Sequence, residues 1–333
     1  MATGPGPPTM TQVSDLRPCI LERKILPKVW GGRALETLMG IELPPGESIG
    51  ETWELYDRAD GSSQIRGSDE TLRDWMERDA AGLLGAGVSP TEDGYFPILI
   101  KYIDAADKLS VQVHPDDEMA KSENDGGKSE AWVVLGKSPG AQMVCGLKPG
   151  ITADEFAAVA HTEAVEDALN IFEPEVGDSI YVPAGTVHAI GPGVVVFEVQ
   201  QNSDVTYRFY DWGRPREVHV DKGLQATRFD GETSPAIGNA RIDDDSEWLF
   251  CNEFFTTRRT TLRAPVSLGT EGSFKALSVV KGRGTLGWHS GGSEPPMLLS
   301  QGDTVLVPAS IEVTFLSPIG EMDLLVCGPG ETH

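Results

Sequence analysis

The sequence predicts a mainly β fold, two jelly-roll β-barrels with a small helical insertion, and three observations carry that expectation. The 38 Gly and 23 Pro among 333 residues call for many turns between short strands. Short apolar clusters bounded by Gly, Pro and Asp recur along most of the chain. Finally, "VGDSIYVPAGTVHAI" (176–190) and "QGDTVLVPASIEVTF" (301–315) align without a gap, Gly177 with Gly302, Asp178 with Asp303 and Pro183 with Pro308. A repeated strand–turn–strand unit predicts a repeated barrel.

Residues 1–20 are rich in Gly, Pro and Thr and read as a flexible tail, with no apolar core of a signal segment. From Ile25 to Tyr56 the pattern is strand and loop. Ser68 is placed to cap a helix whose Leu72, Trp75 and Met76 share one face and which stops near Gly82 or Gly85. "FPILIKYI" (96–103) is nearly all apolar, as in a strand buried on both faces. Thr152 and Glu155 have capping-box spacing, so two short helices fill about 152–171. Strands return over 174–210. Residues 211–245 are charged and turn-rich, a connection between domains, and short strands resume over 246–328. The expected division is a catalytic unit at 21–240 and a second, degenerate one at 241–333.

Fifty-one acidic against 27 basic residues give a net charge of −24, which disfavours nucleic acid and anionic membranes as partners. No apolar run approaches a membrane span. Cys19, Cys145, Cys251 and Cys327 are scattered without Cys-x-x-Cys spacing and read as reduced thiols of a cytoplasmic protein.

"KLSVQVHPDDEMAKSENDGGKSEAWVVL" (108–135) holds the chemistry. Strand alternation places Ser110, Gln112 and His114 on one face, and Lys128, Glu130 and Trp132 on one face of the next strand. Asp116 and Asp117 read as a turn or helix cap. The spacing Gly177-x5-Pro183-x-Gly185-x2-His188 resembles the second motif of the cupin superfamily, whose histidine binds a metal inside a small barrel. In the second copy Ser310 and Val313 replace Gly185 and His188. Two imidazoles, a carboxylate and an amide oxygen form an N/O donor set suited to Zn²⁺ with an open position, while Fe²⁺ and Mn²⁺ also fit such ligands. His161, His219 and His289 are expected to be hydrogen-bonded core residues.

Together "KVWGG", "GETWEL", "FPILIKYIDAADKLSVQVHPDDEMA", "GKSEAWVVL", "YVPAGTVHAI" and "EVQQNSDVTYRFYDWGR" resemble the type I mannose-6-phosphate isomerases, zinc-dependent cupin enzymes, in their compact bacterial form. The resemblance implies one Zn²⁺ per chain on Gln112, His114, Glu130 and His188, a catalytic Arg208 and an active-site Lys128. It also implies interconversion of D-mannose 6-phosphate and D-fructose 6-phosphate through a cis-enediol(ate). Glu198, on the strand after His188, is the candidate proton-transferring base, and Ser110 a candidate phosphate contact. Lys108, Lys128, Arg208, Arg214 and Arg216 form a local basic patch for a phosphosugar, in a monomer or weak homo-oligomer. After "GETWEL" the chain departs from the family pattern with "YDRADGSS". Two other readings compete: a metal-dependent dioxygenase of the same superfamily, revealed by iron and oxygen consumption, and a non-catalytic sugar-phosphate-binding bicupin.

Overall fold

The structure, a computed structural model, describes residues 16–229, 236–237, 240–289 and 295–331. Among the described residues five antiparallel sheets form; four are arranged as two facing pairs, and the fifth is the two-stranded ribbon Asp57–Arg58 with Gly61–Ser62. In the first pair, a seven-stranded sheet runs in the order Ala236–Ile237, Ser179–Val182, Glu130–Lys137, Val194–Gln201, Ile98–Ala105, Lys24–Gly32 and Ile49–Leu55. The sheet facing it has five strands: Leu169–Phe172, Met143–Leu147, His188–Ile190, Val111–Val113 and Tyr207–Tyr210. Trp132, Ile180 and Val182 of one meet Met143, Cys145 and Ile190 of the other.

The second pair repeats the plan. Its larger sheet includes Lys275–Lys281, Thr304–Val307, Met322–Pro329 and Phe255–Leu262, and the facing sheet is Val266–Gly269, Val313–Pro318, Arg283–Trp288 and Met297–Ser300. The two large sheets pack back to back, Ile100, Ala131, Val133 and Phe197 against Phe255, Ala276, Leu306 and Leu325. Burying each Ile, Val, Phe or Leu side chain among these stabilises the fold by roughly 1.5–3 kcal/mol before entropy is counted.

The repeat read from the sequence is a repeat of hydrogen bonds. In the first copy Gly177 N donates to Val134 O (2.8 Å) and Val134 N to Asp178 O (2.9 Å); in the second Gly302 N donates to Val279 O (2.8 Å) and Val279 N to Asp303 O (2.9 Å). Both glycines turn the chain at positive φ, 97° and 90°. Both aspartates close the turn by accepting an amide three residues back, at 2.8 Å. This register sets Glu130 against Val182 and, in the second copy, Lys275 against Val307. A lysine thus stands at the position of the glutamate.

The gapless alignment fails in the last strand. His188 and Ile190 face the interior of the first pair, whereas in the second Thr314 and Leu316 are buried and Phe315 is 40% exposed. A slip of one residue exchanges the faces of a strand, so Thr314, not Val313, points inward. Aliphatic side chains, among them Leu277, Val305, Val326, Leu286 and Leu299, fill that interior.

Other local expectations shift as well. The helix Leu72–Leu84 is capped by Thr71, not Ser68, because Asp74 completes a reciprocal capping box with Thr71, and it ends at Gly85. Thr152 and Glu155 form the expected box, but the insertion is a helix Ala153–Val159 and a 3₁₀ turn Glu163–Ala168, after which Leu169–Phe172 is already a strand. The connection 211–245 contains a helix, Val220–Ala226. Of the expected tail, residues 1–15 lie outside the described residues, while Cys19–Ile20 pairs with Thr304–Val307 as an edge strand.

Candidate metal centre and cavity

One row across the five-stranded sheet builds much of the site. His188 pairs with Cys145 on one side and Gln112 on the other, and Gln112 pairs with Arg208. Their side chains therefore share the inner face. The outer face of this sheet, with Val187, Ala189 and Phe209, is covered by the helical segments through Phe156 and Val165, which leaves the inner face to polar groups.

From the facing sheet Glu130 reaches into the same space. His114 Nε2 lies 3.3 Å from Glu130 Oε2 and His188 Nε2 3.3 Å from Glu130 Oε1. All three residues are buried, and their donor atoms lie within 4.8 Å of one another. His114 Nδ1 donates to Val205 O (2.8 Å) and His188 Nδ1 to Thr186 O (2.9 Å), which directs both Nε2 lone pairs at the carboxylate. Glu130 Oε2 is buried and accepts no well-formed hydrogen bond, though Lys128 Nζ stands 3.2 Å away as its ion-pair partner. Two oriented imidazoles and a carboxylate oxygen left over are what a divalent ion would complete. Gln112 places its amide nitrogen 3.2 Å from His188 Nε2, and rotation about its last bond exchanges that nitrogen for an oxygen donor. These residues fit a metal.

Electrostatics agree. Burial would raise the Glu130 carboxyl, but Lys128, His114 and His188 outweigh it and hold it well below the usual range. Burial, aided by Lys128 and opposed by Glu130, pushes the His114 imidazole down to about 3. Burial also lowers His188. Charged carboxylate and neutral imidazoles are the ligating forms. Lys128 Nζ stands 3.2 Å from both His114 Nε2 and Glu130 Oε2.

The centre opens into a cavity of about 290 Å³. Five lining cations, Lys28, Lys101, Lys128, Arg208 and Arg216, face four acids, Glu51, Glu130, Glu198 and Asp204, a local balance of +1 in a chain of −24. Arg208 Nε donates to Ser110 Oγ (3.2 Å) and its NH1 to Glu217 O (2.8 Å), with no carboxylate paired to it among the described residues. Ser110 in turn donates to Gln112 Oε1 (3.1 Å). Glu198 accepts from Trp132 Nε1 (2.8 Å) and pairs with Lys101 (3.0 Å); burial and the charge of Glu130 raise its pKa against the pull of Lys101.

Sequence reasoning missed Lys101, Glu51, Trp53 and Lys28. Glu51 accepts from Trp53 Nε1 (2.8 Å) and pairs with Lys28 (3.0 Å) and Lys101 (3.8 Å), so a row of alternating charge runs from Glu198 towards solvent. Burial works to raise Glu51, but Lys101 and Lys28 hold it down at about 2. A carboxyl depressed in the folded state adds stability that is complete above its unfolded pKa of 4.5 and lost as the pH falls towards about 2. The expected loss across that window is roughly 3 kcal/mol. Denaturant unfolding at a series of pH values checks it: Glu51→Gln should show a shallower acid decline than the wild type.

The basic patch is smaller than expected. Lys108 pairs with Glu166 (2.6 Å) and lies over Trp212, and Arg214 pairs with Asp211 (3.0 Å); neither lines the cavity. Arg216 lines it but is bound twice by Asp211. None of the three set-aside histidines is a core residue: His161 and His289 are exposed, and His219 sits at the cavity wall beside Arg208. Asp116 caps the helix Asp117–Ala120, as expected of a cap and not a ligand. Residues 56–63 do not line the cavity.

A model of the type I phosphomannose isomerase catalytic domain matches residues 20–136. The mannose-6-phosphate isomerase ManA of Bacillus subtilis is 31% identical over 297 residues, 84% of this chain and 90% of that protein. The chain belongs to the type I mannose-6-phosphate isomerase family. Its enzymatic class is that of these isomerases, EC 5.3.1.8, which decides against the dioxygenase and non-catalytic readings. The crystal structure of the mannose 6-phosphate isomerase from Bacillus subtilis superposes with a TM-score of 0.83 at 28% identity, covering 94% of this chain and 99% of that one. A mannose 6-phosphate isomerase crystallised with zinc and yttrium, 19% identical, shares the fold at a TM-score of 0.77 over 95% of this chain and 100% of its own. The isomerase has no helix among its described residues long and apolar enough to cross a membrane.

Proposed function

We propose that this chain interconverts D-mannose 6-phosphate and D-fructose 6-phosphate, using one Zn²⁺ on Gln112, His114, Glu130 and His188. The observation that carries the reading is Arg208: a half-buried guanidinium without a carboxylate partner, on the same strand-crossing row as two of the donors and facing the same cavity. An uncompensated cation in an acidic chain is a receptor for an anionic substrate. A Zn²⁺ bound at these donors supplies Lewis acidity towards sugar oxygens.

Moving a proton between C2 and C1 generates a cis-enediol(ate), so the site must place a base near both carbons and positive charge near the oxygens. Glu198 is the base in this reading. Its raised pKa suits a proton-transferring role; Trp132 Nε1 donates to its Oε2, while Oε1, ion-paired with Lys101 at 3.0 Å, accepts no hydrogen bond. Lys128 donates to a sugar oxygen, and Arg208 with Ser110 addresses the phosphate or the enediolate. Support for a catalytic unit at 21–240 and a non-catalytic one at 241–333 comes from Lys275 and Thr314 at the ligand positions of the second copy. A chain of net charge −24 fits a cytoplasmic enzyme that binds neither nucleic acid nor anionic membrane.

The test is a coupled assay for fructose 6-phosphate formed from mannose 6-phosphate, before chelation, after it, and with Zn²⁺ restored. Activity should vanish with the chelator and return with zinc. Activity that survives complete metal removal would sink the zinc assignment.

A further inference from the structure

Arg58 lies in "YDRADGSS", the stretch with no part in the cavity, yet it makes a partly buried ion pair that reaches two other segments of the first unit. Its NH2 lies 2.7 Å from Asp125 Oδ2, the two side chains being 17% and 18% exposed, and its NH1 donates to Asn202 O (3.0 Å). Asp125 Oδ2 also accepts from Asp204 N at 3.3 Å. The base of this strut is rigid. Neighbouring Asp57 is fully buried, accepts from Phe96 N (3.0 Å) and pairs with Arg73 (3.1 Å), while Asn202 Nδ2 donates to Asp57 O (2.6 Å) and Phe96 O (2.7 Å).

Asp125 begins the loop that presents Lys128 and Glu130, and Asn202 begins the segment that presents Asp204 and Arg208 to the opposite side of the cavity. Further along, the loop is already held by main-chain bonds: Gly127 N to Asp117 Oδ1 (2.8 Å), Lys128 N to Pro115 O (3.0 Å) and Ser129 N to Gln201 Oε1 (2.8 Å). Gly127 also packs too closely on the backbone of Asp117 to admit a Cβ, which would meet Asp117 N at 2.4 Å. At the Asp125 end two links already join loop and segment, Asp204 N to Asp125 Oδ2 (3.3 Å) and Tyr207 OH to Glu123 Oε1 (2.9 Å), and the Arg58 guanidinium adds a third that ties both to the rigid base at Asp57.

We propose that Arg58 is a positioning residue of the isomerase: by bridging Asp125 and the Asn202 carbonyl, it fixes the separation of the Lys128 loop from the Asp204–Arg208 segment across the cavity mouth. The inference rests on the roles proposed above for Lys128 and Arg208. A guanidinium suits this strut because its planar fork holds a carboxylate and a carbonyl at a fixed, wider spacing than the compact ammonium can span.

Arg58→Met, Asp125→Ala and their double variant test it in the full-length, zinc-loaded protein. Each single variant should keep the wild-type zinc content and lose about tenfold in kcat/KM, mostly through KM, while the double variant loses no more than either single one. Arg58→Lys should recover part of the loss. Amide hydrogen exchange should quicken together in 124–129 and 202–208 in both single variants. Unchanged kcat/KM in zinc-loaded Arg58→Met overturns the proposal, as do multiplying losses in the double variant. If Arg58→Met does not fold, Arg58→Gln is read in its place, because Asp125→Ala also removes the bond from Asp204 N, and normal kinetics with normal exchange in Arg58→Gln overturn the proposal. A wild type without isomerase activity would fail the functional reading instead, and the exchange measurement alone would then decide whether Arg58 couples the two segments.

Discussion

Replacing Glu130 by Gln should empty the metal site and reduce turnover by at least on the order of a thousandfold. Glu130 contributes the carboxylate towards which both imidazoles are oriented, and among the described residues no other acid lies within the cluster of donor atoms. The substitution also leaves Lys128, 5% exposed, without its charge partner, which costs about 3–5 kcal/mol when a buried pair is broken from one side. Metal analysis of purified protein and the coupled assay read the first effect, and denaturant unfolding reads the second. Wild-type metal content with wild-type turnover would remove Glu130 from the ligand set.

Arg208→Met should leave the metal in place and lower kcat/KM by roughly a hundredfold to a thousandfold, the usual effect of deleting one aimed electrostatic donor. The two single-variant profiles are therefore opposite: Glu130 acts through the metal, Arg208 on the substrate. Arg208→Lys should recover only part, because the ammonium cannot hold Ser110 Oγ and the Glu217 carbonyl while also presenting a planar fork. Near-normal kcat/KM in Arg208→Met would withdraw Arg208 from the site. A loss of bound zinc in that variant would place it in the metal's support instead.

The cluster of His114, Glu130 and His188 that could hold a metal was legible in the sequence because a period of two assigns each residue of a half-polar strand to a face. Gln112 and His114 announced themselves by alternating with valines, Glu130 by the same alternation in "KSEAWVVL", and His188 by the Gly and Pro spacing before it. Lys101 did not. It sits in "FPILIKYI", where both faces are buried, so alternation carries no information about which side is wet. A lone lysine inside such a run was the available signal, since a buried ammonium requires a partner, here Glu198 and Glu51. Glu51 was hidden in the same way by a wholly buried strand, Ile49–Leu55.

Caps and connections were misread for a different reason. Ser68 and Thr71 are both good capping residues, and what separates them is Asp74, three residues beyond the second and not the first. The helix Val220–Ala226 contains Gly223 and lacks an apolar stripe, so local propensity argues against it. Tertiary packing supplies the reason: a Cβ at position 223 would meet the Phe209 ring at 2.6 Å, so only glycine lets the helix close over that strand and carry His219 to the cavity wall.

The one-residue slip in the strand Val313–Pro318 bears on how such an enzyme could lose its activity. The second unit keeps the turn glycine, the turn aspartate and the same ladder bonds as the first, yet its inward positions carry Thr314 and Leu316 where the first carries His188 and Ile190. Folding information lies in the turn and the ladder, whereas chemical information lies in the phase of the strand that follows. In this architecture the two are separable at the scale of one codon: an insertion just before Val187 would hand the interior Val187 and Ala189, preserving a foldable sheet while silencing the site.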